Sequence, residues 1–248
     1  MNPRTVFITL FRRMRSFIRY LRMMADPRHR LPGTAAWLVA AEIKYGGRAI
    51  RVPRRKVSPH DPRTKAQLAY RGMTGGDRML HNRYAEKYAE YLRPFVAKDQ
   101  PPLLIEVGIL KGTGLAIWCE LFPKATVWGL DIDPSHFRDN EQNLIERGAF
   151  QQNKPAIHTF DQFVHNGPLI EKLLEGRKVD ICIDDGYHSN ETIMNTFEDM
   201  VPFLATDFVY FIEDNDRVHT ELRQAWPNLR IESAGNLTIV TRDTPSAQ

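Results

Sequence analysis

Between residues 103 and 241 the apolar positions come in short runs, most of them closed by glycine, proline or an acid. Leu103 to Val107, bounded by Pro101-Pro102 and Gly108, reads as a buried parallel strand, because such strands show continuous apolar runs instead of alternation. Runs at 125–130, 156–160, 179–183 and 207–212 read as further strands of the same set. Between them, helical patterns fall at 115–122, 137–147, 169–174 and 191–203, with another near 220–225. Strand and helix in alternation mark a doubly wound α/β sheet. The last two runs, 229–233 and 237–241, are separated by Ala234-Gly235-Asn236, which predicts a hairpin.

Upstream the pattern changes. Within residues 3–24, Phe7, Leu10, Phe11, Met14, Phe17, Ile18 and Leu21 recur at spacings of three and four. Arg12, Arg13, Arg15, Arg19 and Arg22 mostly take the other face, so the segment is a basic amphipathic helix. It suits packing on its own domain or on a sister subunit, so a homo-oligomer is expected. It also suits peripheral contact with an anionic membrane at the inner face. A targeting peptide would need a small-residue cleavage site, which does not follow. Residues 26–67 carry five prolines around a short helical piece, Thr34 to Lys44, and the basic run 48–56 reads as solvated, with a polyanion site as the lesser alternative, since no aromatics interleave it. Gly72 to Arg78 precedes a helix with Tyr84, Tyr88 and Leu92 on one face, which is expected to pack against the domain. The division this suggests is a basic extension, 1–71, and an α/β domain, 72–248.

Charge sharpens that division. The net charge of +4 is the sum of two unlike parts: residues 1–71 hold 17 Lys/Arg against three acids, a net of +14, and the rest holds 17 against 27, a net of −10. No run of 18 apolar residues occurs. Two cysteines, Cys119 and Cys182, make no disulfide framework, so a reducing cytoplasm is the expected compartment.

The chemistry gathers after the first strand. Glu106, Gly108, Gly112 and Gly114 lead into a helix, a turn in which glycines let the backbone approach a ligand. The spacing is not the G-x-G-x-x-G of dinucleotide folds. Asp131 ends the second strand, where an acid can bind two ribose hydroxyls. Glu106-x-Gly108-x-x-x-Gly112-x-Gly114 followed by Asp131 resembles the first two motifs of class I S-adenosylmethionine-dependent methyltransferases. The terminal hairpin is similar to theirs as well. The implied fold is Rossmann-like, with a seven-stranded, mostly parallel sheet closed by an antiparallel hairpin.

Strand four ends in Asp184-Asp185 and strand five in Glu213-Asp214. At the carboxyl ends of neighbouring strands, Asp185, Glu213 and Asp214 can converge, and three carboxylates together call for a hard divalent cation such as Mg²⁺. Strand alternation sends Asp184 and Asp185 to opposite faces; Asp185 is assigned to the metal and Asp184 to the neighbourhood of the cofactor. His188, three residues on, is a candidate general base for an acceptor hydroxyl.

Ile183-Asp-Asp-Gly-Tyr-His188 with Phe211-Ile-Glu-Asp214 resembles the metal-dependent sugar O-methyltransferases of macrolide biosynthesis and their cephalosporin-hydroxylase-like relatives. Gly75-Gly76-Asp77-Arg78 is similar to that family's glycine-threonine-aspartate-lysine turn, with Gly76 for threonine and Arg78 for lysine. Asp161-Gln162 is similar to its adenine-contacting segment, without the glycine. The resemblance implies Mg²⁺ on Asp185, Glu213 and Asp214 and His188 as base. It implies S-adenosylmethionine held by Glu106, Gly108, Gly112, Asp131, Asp161, Gln162 and Asp184. Tyr187 and Asn215 depart from the pattern. The implied reaction is methylation of a hydroxyl on a sugar, a glycosylated natural product, a polysaccharide or a glycolipid. A catechol-type O-methyltransferase, to whose paired ligands Asp214-Asn215 is similar, and a non-catalytic cofactor-binding scaffold are the alternatives. Nucleic acid is not an expected partner, since no base-reading motif occurs.

Overall fold

The computed structural model describes residues 18, 21–23, 25–46, 50–70 and 72–242. The basic helix read at 3–24 therefore lies almost wholly outside the described residues. After a 3₁₀ turn at Pro27–Arg30, the described chain runs through α1 (Ala35–Tyr45), β1 (Ile50–Val52), α2 (Lys65–Tyr70), β2 (Met73–Gly75) and α3 (Ala85–Ala97). The alternating unit follows: β3 (Leu103–Val107), α4 (Thr113–Leu121), β4 (Thr126–Asp131), α5 (Ser135–Glu146), β5 (Ala156–Thr159) and α6 (Gly167–Leu174). It continues with β6 (Val179–Asp184), α7 (Asn190–Met200), β7 (Leu204–Ile212), α8 (Val218–Ala225), β8 (Leu229–Ala234) and β9 (Leu237–Arg242).

β3 to β9 form one seven-stranded sheet in the order β5-β4-β3-β6-β7-β9-β8. β5, β4, β3, β6 and β7 are parallel, while β9 runs antiparallel to β7 and β8 antiparallel to β9. The strand order reverses at β3: β4 pairs on one side and β6 on the other. A crevice opens at the carboxyl ends of strands at such a reversal.

Each strand sends alternate residues to two cores. Leu104, Ile181, Ile183, Val209, Phe211 and Ile239 face one helical layer, and Ile105, Val107, Cys182, Tyr210, Ile212 and Val240 the other. The first layer contains α1, through Trp37, Leu38, Val39, Ala41 and Tyr45. The boundary drawn at 71/72 is therefore no break in packing: α1 shares a core with the sheet. Glu42 of α1 is buried, and its carboxylate accepts the backbone N–H groups of Met79 at 2.9 Å and Leu80 at 3.0 Å. Both cysteines are buried and unpaired.

Candidate active site

A cavity of about 390 Å³ opens at the carboxyl ends of β3, β4, β5 and β6, within the size range of small-molecule sites. Val107, Gly108, Ile109, Leu110, Asp131, Asp161, Asp185, His188 and Asp214 are among the residues that line it. Gly108 has φ +84°, and a Cβ on it would lie 2.1 Å from the carbonyl oxygen of Asp185. Only glycine lets the β3 and β6 ends come this close. Gly112 serves the fold, for it turns into α4 with its α-carbon against the Phe137 ring and does not line the cavity.

Asp131 closes the glycine turn. One carboxylate oxygen accepts from Ile109 N at 3.0 Å and Leu110 N at 3.2 Å, the other from Asp133 N at 2.9 Å. Burial raises its pKa and those three N–H groups oppose the rise. The acid expected to bind ribose is thus seen to order the glycine turn that lines the cavity.

The middle of the site is held by Arg78. Its side chain is 9% exposed and pairs with an acid from each of three strand ends: Glu106 at 2.6 Å, Asp185 at 2.8 Å and Glu213 at 2.7 Å. Gly114 makes room for this, since a Cβ there would sit 2.1 Å from Glu106 Oε1 and 2.5 Å from Arg78 Nη1. Burial pushes Glu106 and Glu213 above the usual carboxylate range against the pull of Arg78; burial pulls Arg78 down in turn, but Glu213, Glu106 and Asp185 together outweigh it and raise its pKa well above the ordinary value. The hydroxyl of Tyr88 also donates to Glu213, while the Tyr88 ring stacks on Phe211 at 4.1 Å between centroids.

Glu213 is therefore engaged beneath the cavity and does not line it, whereas Asp185 and Asp214 do. Asp185 Oδ1 stands 4.0 Å from His188 Nε2. Asp185, His188 and Asp214 each bring one ligand atom within 4.8 Å of the others. Asp214 accepts from Tyr84 Oη at 2.8 Å and Asn82 Nδ2 at 3.1 Å. His188 and Asp214 both have left-handed backbone, φ 66° and 55°, a strain on the order of 1 kcal/mol each that concentrates at functional sites. Burial and the charges of Asp214, Glu106 and Asp77 push Asp185 up, with Arg78 opposing. Three carboxylates thus pair with one guanidinium while Asp77 and Asp214 stand near enough to Asp185 to raise its pKa, and a divalent cation fits the excess negative charge.

Asp184 faces away from the cavity. It is 1% exposed and accepts from Gln162 Nε2 at 2.9 and 3.1 Å. The same amide nitrogen reaches Thr196 Oγ1, and Gln162 Oε1 accepts from Tyr187 N. Strand alternation resolves the Asp184-Asp185 pair: Asp185 meets the site, and Asp184 with Gln162 fixes the β6 turn from below. Burial raises Asp184 to about 6. Asp184 does not itself line the cavity, whereas the Gln162 side chain that it holds does. Asn215 is also consumed: its amide donates to the His188 carbonyl at 3.0 Å and to Asn190 Oδ1 at 2.8 Å, and its oxygen caps α8 by accepting from Arg217 N and Val218 N, both at 2.8 Å.

The segment between β1 and α2, read as solvated at its start, lies over the cavity. Arg54, Arg55, Lys56, Ser58, Asp61 and Arg63 contribute to the lining. Ser58 Oγ donates to Asp161 at 2.8 Å, Arg55 pairs with Asp139, and Tyr187 Oη donates to Asp61 at 3.3 Å. The basic run marked this segment in the sequence, but its place over the cavity was not legible, because these contacts are more than 80 residues away in sequence.

No protein-family model matches the chain. Among curated proteins, the L-olivosyl-oleandolide 3-O-methyltransferase of Streptomyces antibioticus is 31% identical over 134 residues, covering 51% of this chain and 31% of that protein. The mycinamicin VI 2''-O-methyltransferase of Micromonospora griseorubida is 26% identical over 140 residues, covering 53% and 31%. The matched region is thus about a third of the length of these relatives. The solved MycE methyltransferase of the mycinamycin pathway, in complex with Mg, SAH and mycinamycin VI, superposes with a TM-score of 0.51 at 19% identity, over 66% of this chain and 51% of that one. The chain resembles macrolide-sugar O-methyltransferases in sequence and has the class I methyltransferase fold.

Proposed function

We propose that this chain is an S-adenosylmethionine-dependent O-methyltransferase that acts, with a divalent metal, on a hydroxyl of a glycosylated acceptor. The observation that carries the reading is the meeting of Asp185, His188 and Asp214 at one end of a cavity whose floor is the Gly108 turn. The relatives' names support the acceptor class: an olivosyl-oleandolide and a rhamnosyl tetracenomycin are both glycosylated. The solved relative was bound to Mg, SAH and mycinamycin VI.

In this reading Gly108 to Leu110 and Asp131 seat the cofactor, with Asp161 at its far end and Glu106 beneath. Asp185 and Asp214 would hold Mg²⁺, which when bound acidifies and orients the acceptor hydroxyl. Asp185 and Asp214 fix that hydroxyl's position, and His188 Nε2 takes its proton. The new bond joins the acceptor oxygen to the methyl carbon as the carbon–sulfur bond breaks, leaving S-adenosylhomocysteine and a protonated His188. Asn215 sets where His188 stands by holding its carbonyl. Alignment of oxygen, carbon and sulfur supplies much of the rate. The catechol-type alternative loses support, since the Asn215 side chain it would use as a ligand is spent on the backbone.

Two measurements test the reading. Calorimetry should give S-adenosylhomocysteine binding, and a separate heat for Mg²⁺ that Asp185→Asn removes. With an accepted glycoside, His188→Ala should lower kcat by about a hundredfold or more while S-adenosylhomocysteine binding persists. No cofactor binding at all would overturn the methyltransferase reading, and unchanged kcat would remove His188 as base.

A further inference from the structure

The cavity lining mixes charges, and the question is which of its cations lack a partner. Asp77, Asp185 and Asp214 belong to the metal end, and the segment after β1 brings four cations, Arg54, Arg55, Lys56 and Arg63. Three of these already face acids. Arg55 pairs with Asp139, Arg63 with Asp61, and Lys56 lies near enough to Asp133 to lower its pKa. Arg54 makes no hydrogen bond or ion pair among the described residues, and its Nε is buried. Its charged neighbours are Arg63 and Asp61, with the Tyr187 hydroxyl close by. Two guanidiniums therefore share one carboxylate. The Arg63 guanidinium lies 4.3 Å above the Tyr187 ring, whose other edge meets Phe163 at 4.5 Å between centroids. Tyr187 immediately precedes His188.

We propose that Arg54, with Arg63 beside it, forms a subsite for an anionic oxygen group on the acceptor, a sugar carboxylate or a phosphate ester. The inference rests on the methyl-transfer reading above. A half-buried guanidinium with an open fork is costly to keep without an anion, and its planar donors match carboxylate and phosphate oxygens in pairs. Burial and Arg63 together hold the Arg54 pKa below its ordinary value, a tension that a bound anion relieves. The aromatic wall of Tyr187 and Phe163 gives a sugar face an apolar surface beside that charge. Tyr187 thus becomes part of the acceptor pocket, held in place by Asp61 and Arg63.

The test needs no turnover. The full chain, saturated with S-adenosylhomocysteine, is titrated with glucuronate, glucose 6-phosphate and glucose by ligand-observed NMR. At least one anionic sugar should bind about tenfold tighter than glucose, about 1.4 kcal/mol. The sugar that shows the gain identifies carboxylate or phosphate as the group bound. Arg54→Gln should erase the preference and Arg54→Lys keep part of it, both with S-adenosylhomocysteine affinity within about twofold of the unaltered protein. Equal binding of charged and neutral sugars, or a preference that survives Arg54→Gln, overturns the subsite. A large loss of S-adenosylhomocysteine affinity in Arg54→Gln overturns it too, since the arginine would then serve the cofactor's own carboxylate. If the unaltered protein binds no S-adenosylhomocysteine, the methyl-transfer reading falls, and the same titrations on the free chain still decide the subsite.

Discussion

Arg78 shows how one side chain can reverse a reading of charge. From the sequence, acids at the ends of two strands demanded an external cation. The fold supplies part of that cation itself, from a turn 28 residues before Glu106. Asp185, His188 and Asp214 were legible because carboxyl strand ends are where such residues gather. Glu213 was legible as an acid but not as Arg78's partner, for nothing in a Gly-Gly-Asp-Arg turn says which strands it will face. Arg78→Met would strand three carboxylates around a vacant guanidinium site. Removing one partner of a buried ionic cluster costs about 3–5 kcal/mol, so the melting temperature should fall by several degrees or more. Arg78→Lys keeps the charge without the fork and should recover part of the loss. Scanning calorimetry decides the matter: a melting temperature unchanged in Arg78→Met would mean that the cluster is held by other means.

At the scale of elements, every strand of the main sheet was legible and the boundaries moved by a few residues. β7 begins at Leu204, where the sequence suggested Asp207, because Thr206 and Asp207 are exposed and break the apolar run. The short pair β1–β2 escaped notice: three residues are too few to show a period, and the partners are about twenty residues apart. The segment that follows β1 was noticed only as a basic run, its place over the cavity escaping for the same reason, and it matters more. Asp61 ties it to the turn after β6 by accepting from Tyr187, and Arg63, paired with Asp61, lies over the same ring. The hydrogen bond from Arg63 holds the Asp61 pKa down at about 2, from 3.8. A depressed acid contributes stability above its unfolded pKa and loses it as pH falls toward the folded one, so this anchor is complete above about pH 4 and gone near pH 2. Asp61→Asn imitates the loss at neutral pH. Hydrogen exchange across residues 53–63 should quicken by about tenfold, equivalent to about 1.4 kcal/mol of local opening, while β3 and β6 keep their protection. Equal protection of 53–63 in the variant would show that Ser58–Asp161 and Arg55–Asp139 hold the segment alone.

At the scale of the whole molecule, the charge asymmetry suggested two units, and packing joins them. A net of +14 before residue 72 and −10 after it is an electrostatic division, but hydrophobic side chains do not follow it. Trp37, Leu38, Val39 and Tyr45 are each buried to 8% exposure or less in the core that also holds Leu104, Phe211 and Tyr88. Burying a large apolar side chain contributes about 1.5–3 kcal/mol, so four of them contribute roughly 6–12 kcal/mol, comparable with the 5–15 kcal/mol that typically separates a folded domain from its unfolded chain. Glu42 adds two hydrogen bonds to the Arg78 turn, so losing α1 also loosens the turn that organises the carboxylates. A chain beginning at residue 72 should therefore fail to fold, whereas one beginning at residue 26 should melt cooperatively and bind S-adenosylhomocysteine as the full chain does. Circular dichroism melts and calorimetry on the two shortened chains separate the cases. A cooperative melt from the chain that starts at residue 72 would mean that the α/β sheet with α3 and α4 closes its own core. Residues 26–71 would then be an attachment to the site and no part of the fold.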